Sequence, residues 1–429
     1  MKFKKVLSVV LTAAACVSLC ACGGGKGDGG GEGKEGGDGL LRVAIWDNVQ
    51  LDGLKEIAAG FTEETGVDVE FQVVPWNEYW MLLEAGATGG EMPDVFWMHS
   101  TYSQRYMSND ILLDLTDRIK DSDRINPENY YKDIVELYQY DEKTYAVPKD
   151  YDTIALWYNK KMFDDAGIAY PDETWTWQTF ADAAKKLTKE DGSQYGTAIP
   201  AIYNQDGYYN LIYDMGGYIV SEDKKKSGWD DPKTMEAMNW LYDNVVTTSM
   251  PSQETMGETS PDVLFCSGKI AMTLQGSWMT ASMRDNEFVS ENCDVAVLPK
   301  AEDGTRKTIY NGLGWAAAAE GDNTENAWKL IEYFGSEEAQ KKQAELGVTM
   351  SAFMGTSDTW VQCAPNFNLQ AYLDMTEDMQ IRPYTKNTKL WEDYSQEVMK
   401  EAYTKQITID EACKEIAKYM NESIAEENQ

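Results

Sequence analysis

The chain of 429 residues carries 72 acidic against 38 basic side chains and one histidine, a formal net charge of −34. Such a chain repels nucleic acid and anionic ligands at long range, so a neutral ligand suits it better than phosphate or sulfate. One histidine gives metal- and histidine-based catalysis little support, and no GxxxxGK[ST] nucleotide loop occurs.

The amino terminus sets the compartment. Lys2, Lys4 and Lys5 precede an apolar run over residues 6–19, followed by Leu19-Cys20-Ala21-Cys22. This predicts a signal peptide over residues 1–21, too short for a transmembrane helix. Small residues before Cys22 resemble the lipobox of bacterial lipoproteins, which predicts lipidation at Cys22. Cys16 is a second candidate, and Cys20 fits poorly because Leu19 precedes it. Residues 23–39 are almost all Gly, Lys, Asp and Glu, a composition that predicts a flexible tether. Lipid and tether together predict a domain held at the extracytoplasmic face of the cell membrane and free to tumble. Removing residues 1–21 leaves 35 basic against 72 acidic residues.

From residue 40 the pattern alternates strands and helices. Residues 41–46 predict a strand. Leu54, Ile57, Ala58 and Phe61 then fall at helical spacing, with Gly66 as the stop. Residues 67–73 alternate as a second strand ended by Pro75, and Asn77 can cap a second helix. Residues 95–98 predict a third strand. This βαβαβ order argues for an α/β architecture with a largely parallel sheet. Downstream, strands are predicted at 145–148, 153–158, 195–199, 269–274, 294–298 and 315–319. Thr176 can cap a helix bearing Phe180, Ala183, Ala184 and Leu187, while Asp231-Pro232 and Ser260-Pro261 mark two further helix starts. Helices dominate later, at 327–334, 337–346, 394–403 and 410–419. Length and alternation predict two α/β lobes with a cleft between them. Cys266, Cys293, Cys363 and Cys413 show no metal-like spacing, and no disulfide is predicted.

Ligands of open α/β sheets sit beyond the carboxyl ends of strands. The residues there are aromatic, amide or acidic: Trp46-Asp47-Asn48, Pro75-Trp76-Asn77, His99-Ser100-Thr101-Tyr102, Lys149-Asp150-Tyr151-Asp152, Gly276-Ser277-Trp278, and Tyr310-Asn311-Gly312 before a strand. Sugars call for this mixture, because their C–H faces stack on rings while their hydroxyls need planar donors and acceptors. The 14 tryptophans and 25 tyrosines exceed what a core needs. Trp157, Trp240, Trp328 and Trp360 read as core, and Trp175 and Trp177 as packing around a helix start. Trp46, Trp76 and Trp278 read as ligand contacts, and His99 fits either a structural or a ligand role.

These pieces, in this order, resemble the family 1 extracellular solute-binding proteins, the maltose-binding-protein-like carbohydrate receptors of ABC importers. The resemblance covers residues 40–423. It rests on the ordered spacing of FTEETGVDVE at 61–70, GEMPDVF at 90–96, YAVP at 145–148, LWYNK at 156–160 with Phe163 and Ala166-Gly167-Ile168, and PDETWTW at 171–177. It implies a two-lobed periplasmic-binding-protein fold with a multi-segment hinge. One lobe would hold residues 40–149 plus 302–352, the other 150–301 plus 353–429. It further implies that Trp278 stacks on sugar, that Asp150 binds hydroxyls at the hinge, that Asn311 and Gly312 line the cleft, and that Arg382 faces the ligand. Tyr208 extends the list of hydroxyl contacts.

The expected function is capture of a mono- or oligosaccharide by a monomeric lipoprotein that delivers it to ABC permease subunits, with no catalysis, cofactor, metal or nucleic acid. A polyamine receptor of the same fold is the alternative, because acidic and aromatic clefts also bind cations. A surface glycoside hydrolase is the other, and it would need two carboxylates at a defined separation.

Overall fold

In the computed structural model, residues 39–427 are described, so the signal peptide, Cys22 and the tether lie outside the described residues. The first β-strand, β1 (Leu40–Ile45), buries Leu41, Val43, Ala44 and Ile45, as a central strand covered on both faces must. Helix α1 (Leu51–Thr65) turns Leu54, Ile57, Ala58 and Phe61 onto the sheet and ends at Gly66, whose φ of 74° suits the glycine. Strand β2 (Asp68–Val73) then pairs parallel to β1 on one side, and β3 (Val95–Met98) on the other. Helix α2 (Trp76–Gly89) lies between β2 and β3, and α3 (Ser100–Ser108) follows β3. Helix α2 begins one residue before the predicted Asn77 cap, with Pro75 at the cap position.

Two later strands complete this sheet in the order β2-β1-β3-β5-β4, with β4 at Ala146–Pro148 and β5 at Gly314–Ala317. Both pairings of β5 are antiparallel, so β5 alone runs against the other four strands and the sheet is otherwise parallel, as expected. The reversal follows from connectivity: β5 enters only after the chain has left the sheet and come back. A second sheet is antiparallel throughout, with Ile154–Asn159 between Met272–Gly276 and Cys293–Ala296. Two α/β bodies, each on its own sheet, result.

Residues 195–199, expected as a strand, form only an isolated bridge between Tyr195 and Ile270. Helix Trp177–Leu187 passes so close to Gly196 that a Cβ there would overlap the Ala184 backbone. The Gly196 N–H meanwhile goes to the Ser249 carbonyl. A short parallel ladder of Thr308–Tyr310 with Met379–Ile381 had no sequence signal, being three residues long on each side. Thr176 and Asp231 cap their helices through side-chain oxygens, whereas Ser260 contributes only the position before Pro261. Trp157, Trp175, Trp177, Trp328 and Trp360 are buried, and Trp240 is partly buried. Cys266, Cys293, Cys363 and Cys413 are free thiols.

Three segments cross between the bodies side by side. Lys149 N–H donates to Leu313 O at 2.7 Å, Asp152 N–H to Asn311 O at 2.9 Å, and Asp150 bridges Ser351. Among the described residues no helix is long and apolar enough to cross a membrane.

Candidate functional site

The exits of β1, β2 and β3 converge. Trp46 leaves β1 with its ring centroid 4.9 Å from Trp76, 5.1 Å from Tyr79 and 4.8 Å from Trp97, all nearly edge-on. Trp76 opens α2 and stands 5.3 Å from the His99 ring at the exit of β3. Trp80 and Tyr102 stack behind them at 3.7 Å. Trp76 is 38% exposed, so a broad indole surface faces outward from an otherwise packed aromatic group.

His99 is both a structural residue and part of this group. Its Nδ1 accepts the Thr101 N–H at 3.1 Å and so caps α3. Burial, aided by the Arg382 guanidinium, lowers its pKa well below 6.5, and the ring is neutral at neutral pH. With Nδ1 accepting, the ring proton sits on Nε2, 3.0 Å from the Asn311 side-chain amide. Donation from Nε2 turns the amide oxygen to the ring, since amide orientation follows the surrounding hydrogen bonds. The other end of that buried amide has no protein partner. It is then an NH2 group free to donate.

The acidic candidates divide by environment. Asp47 accepts from Val49 N–H at 2.8 Å and from Gln50 Nε2 at 2.9 Å. Asp150, 6% exposed, accepts from Leu313 N–H at 2.8 Å and pairs with Lys149 Nζ at 2.6 Å. Gly312 lies against the Asp150 carbonyl so closely that a Cβ would overlap it. Asp152 accepts from Asn311 N–H at 2.9 Å and Gln205 Nε2 at 2.7 Å. Its pKa is raised well above the usual carboxylate value by burial and then by the Asp150 charge.

Arg382 comes from the far end of the chain to the same place. It pairs with Glu392 at 2.7 Å and donates to Thr101 Oγ1 at 2.8 Å, while its buried Nε–H has no partner. Glu392 in turn accepts from Asn204 Nδ2 at 3.1 Å. Asp206, on a kinked one-turn segment where Gly207 has φ −147° and ψ −119°, is pushed up to about 7 by burial, with Arg382 opposing.

The remaining candidates make other contacts. Tyr151 is 4% exposed with its ring 4.8 Å from that of Tyr131. Tyr208 is fully buried, its hydroxyl 3.3 Å from the Ala201 carbonyl and its ring against Tyr209 and Trp229. Trp278 is partly buried, one turn beyond the second sheet, with its indole folded over Gly276. Of two surface cavities, one of about 710 Å³ is lined by none of the sequence-predicted residues and one of about 910 Å³ is lined by Arg382 alone among them. Gln50, Thr101, Lys149, Asp152, Asn204, Gln205 and Glu392 join the constellation without having been singled out as ligand contacts. Among the described residues no group of three or more His, Cys, Asp or Glu could hold a metal ion.

The family description "bacterial extracellular solute-binding protein" matches residues 47–341. The chain belongs to that family. A galactooligosaccharide-binding protein of Bacillus subtilis is 26% identical over 80% of this chain and 80% of its own length. A diacetylchitobiose-binding protein of Streptomyces coelicolor is 24% identical over 76% of each chain. Among solved structures, an ABC substrate-binding protein of Listeria monocytogenes in complex with cycloalternan superposes with a TM-score of 0.83. It is 24% identical, over 91% of this chain and all of that one. The acarbose-binding GacH receptor of Streptomyces glaucescens superposes with a TM-score of 0.77 at 20% identity, covering 90% and 99%. The fold is therefore the two-lobed one of solute-binding proteins, with a cleft between lobes.

Proposed function

We propose that this solute-binding protein captures a mono- or oligosaccharide in the interlobe cleft and delivers it to an ABC permease. One lobe would comprise residues 40–149 plus 302–352, the other 150–301 plus 353–429, with the amino terminus held to the extracytoplasmic face through lipid on Cys22. The observation that carries this reading is the meeting of Trp46, Trp76 and His99 with Asn311, Asp152 and Arg382. Two buried polar groups there, one end of the Asn311 side-chain amide and the Arg382 Nε–H, lack protein partners. Leaving a buried donor unpaired costs on the order of 1–3 kcal/mol, which a ligand hydroxyl oxygen would recover. The raised carboxyls of Asp152 and Asp206 can accept or donate toward the same hydroxyls without requiring a charged ligand. Sugar-binding relatives support the carbohydrate class.

The test is thermal shift of residues 40–429 against maltotriose, galactobiose, diacetylchitobiose and spermidine, followed by calorimetry of any hit. Binding to the native state alone stabilises by about 2.7 kcal/mol at a hundredfold excess over Kd. A shift with a sugar that is recovered unchanged supports the reading. A shift with spermidine alone replaces the substrate class.

A further inference from the structure

Lys149 places a charge where water does not reach: none of its side chain is exposed, and it lies where the chain crosses between the two sheets. An ammonium has three protons to place. They go to Gln50 Oε1 at 2.9 Å, Asp150 Oδ2 at 2.6 Å and Thr349 Oγ1 at 3.4 Å, while the face of Trp97 stands 4.7 Å away. The ammonium also fixes Gln50. Because the amide oxygen must face Nζ, its NH2 faces away, and it meets Asp47 Oδ2 at 2.9 Å. The second Asp47 oxygen is taken by Val49 N–H at 2.8 Å. The carboxylate beside Trp46 is therefore aimed by a buried charge on a different segment of the chain. The same ammonium holds Asp150, whose other oxygen accepts the Leu313 N–H at 2.8 Å on the return crossing.

We propose that Lys149 and Gln50 are positioning residues for ligand capture. Lys149 orients Gln50, Gln50 aims Asp47 at the ligand, and the Lys149–Asp150 pair ties that aim to the crossing segments. The inference rests on the carbohydrate reading and on Asp47 as a ligand contact.

Two substitutions separate positioning from mere support. Gln50→Glu keeps an acceptor for Lys149 but removes the NH2 and sets a second carboxylate against Asp47. Thr349→Val removes a different Lys149 partner and leaves the path to Asp47 intact. Melting temperature is read beside affinity for whichever of maltotriose, galactobiose and diacetylchitobiose the wild type binds most tightly. The Gln50→Glu protein is expected to melt near the wild type while losing about tenfold to hundredfold in affinity. The Thr349→Val protein is expected to melt lower and bind as the wild type does. Undiminished binding by Gln50→Glu, or an equal loss in Thr349→Val, would overturn the assignment. If the wild type binds none of these sugars, the carbohydrate reading itself fails and takes this inference with it.

Discussion

Arg382 and Glu392 pair at 2.7 Å with only 6% and 4% of their side chains exposed, and the same guanidinium reaches Thr101 at the start of α3. A buried pair of this kind is costly to break from one side, because the survivor is left as an uncompensated charge. Glu392→Ala is expected to destabilise the fold by about 3–5 kcal/mol in urea unfolding. Glu392→Gln retains an acceptor for Arg382 and is expected to lose less. An unchanged urea midpoint in the alanine variant would refute the pairing as described.

Acid and base act on this region with opposite signs. Burial raises Asp206 to about 7, so between the unfolded carboxyl value and pH 7 the folded state holds a proton that the unfolded chain has released. That contribution to stability is complete at low pH and is lost as pH rises through 7. His99 runs the other way. Its folded pKa lies below 6.5, so its contribution is present above 6.5 and is lost as pH falls toward the folded value. Asp206→Asn is expected to flatten the fall in melting temperature between pH 5 and 8. A fall as steep as in the wild type would contradict the raised carboxyl.

Trp76 and Trp46 make unequal contributions to stability. Trp76 is 38% exposed, whereas Trp46 is wedged among Trp76, Tyr79 and Trp97. Trp76→Ala is expected to lower sugar affinity about tenfold or more with little change in melting temperature, since it removes a stacking face and leaves little cavity. Trp46→Ala is expected to lower both. Calorimetry beside a melting curve decides it, and sugar affinity that survives Trp76→Ala would remove that ring from the site.

Gly276 sets the pose of Trp278. A Cβ at Gly276 would overlap the Trp278 indole, although the backbone φ of −75° suits any residue. Gly276→Ala is expected to displace the ring, shifting tryptophan fluorescence and weakening sugar binding while the second sheet stays folded. Binding as tight as the wild type's would leave Trp278 without a part in recognition.

The aromatic half of the constellation was legible because strands announce their own ends. Pro75 stops β2 and Trp76 follows, and the apolar runs of β1 and β3 give way to Trp46-Asp47 and His99. The polar half was not, because its members meet across long stretches of chain: Gln50 with Lys149, Asn204 with Glu392, Thr101 with Arg382. No local pattern encodes such pairs. One signal was available, a lysine inside the buried run 146–151, where a charge needs partners. Tyr208 was singled out from a segment whose kink at Asp206 and Gly207 sends its ring into the core, leaving Asn204 and Gln205 to face Glu392 and Asp152. The one reversed strand was equally hidden, since the antiparallel return of β5 depends on where the chain re-enters.

The most direct measurement is calorimetric titration of residues 40–429 with maltotriose, galactobiose and diacetylchitobiose, with the sugar recovered and analysed afterwards. The account predicts saturable one-to-one binding of at least one of them, loss of that binding in Trp76→Ala, and recovery of the sugar intact. Absence of binding to every sugar, or release of reducing ends during the titration, would contradict it.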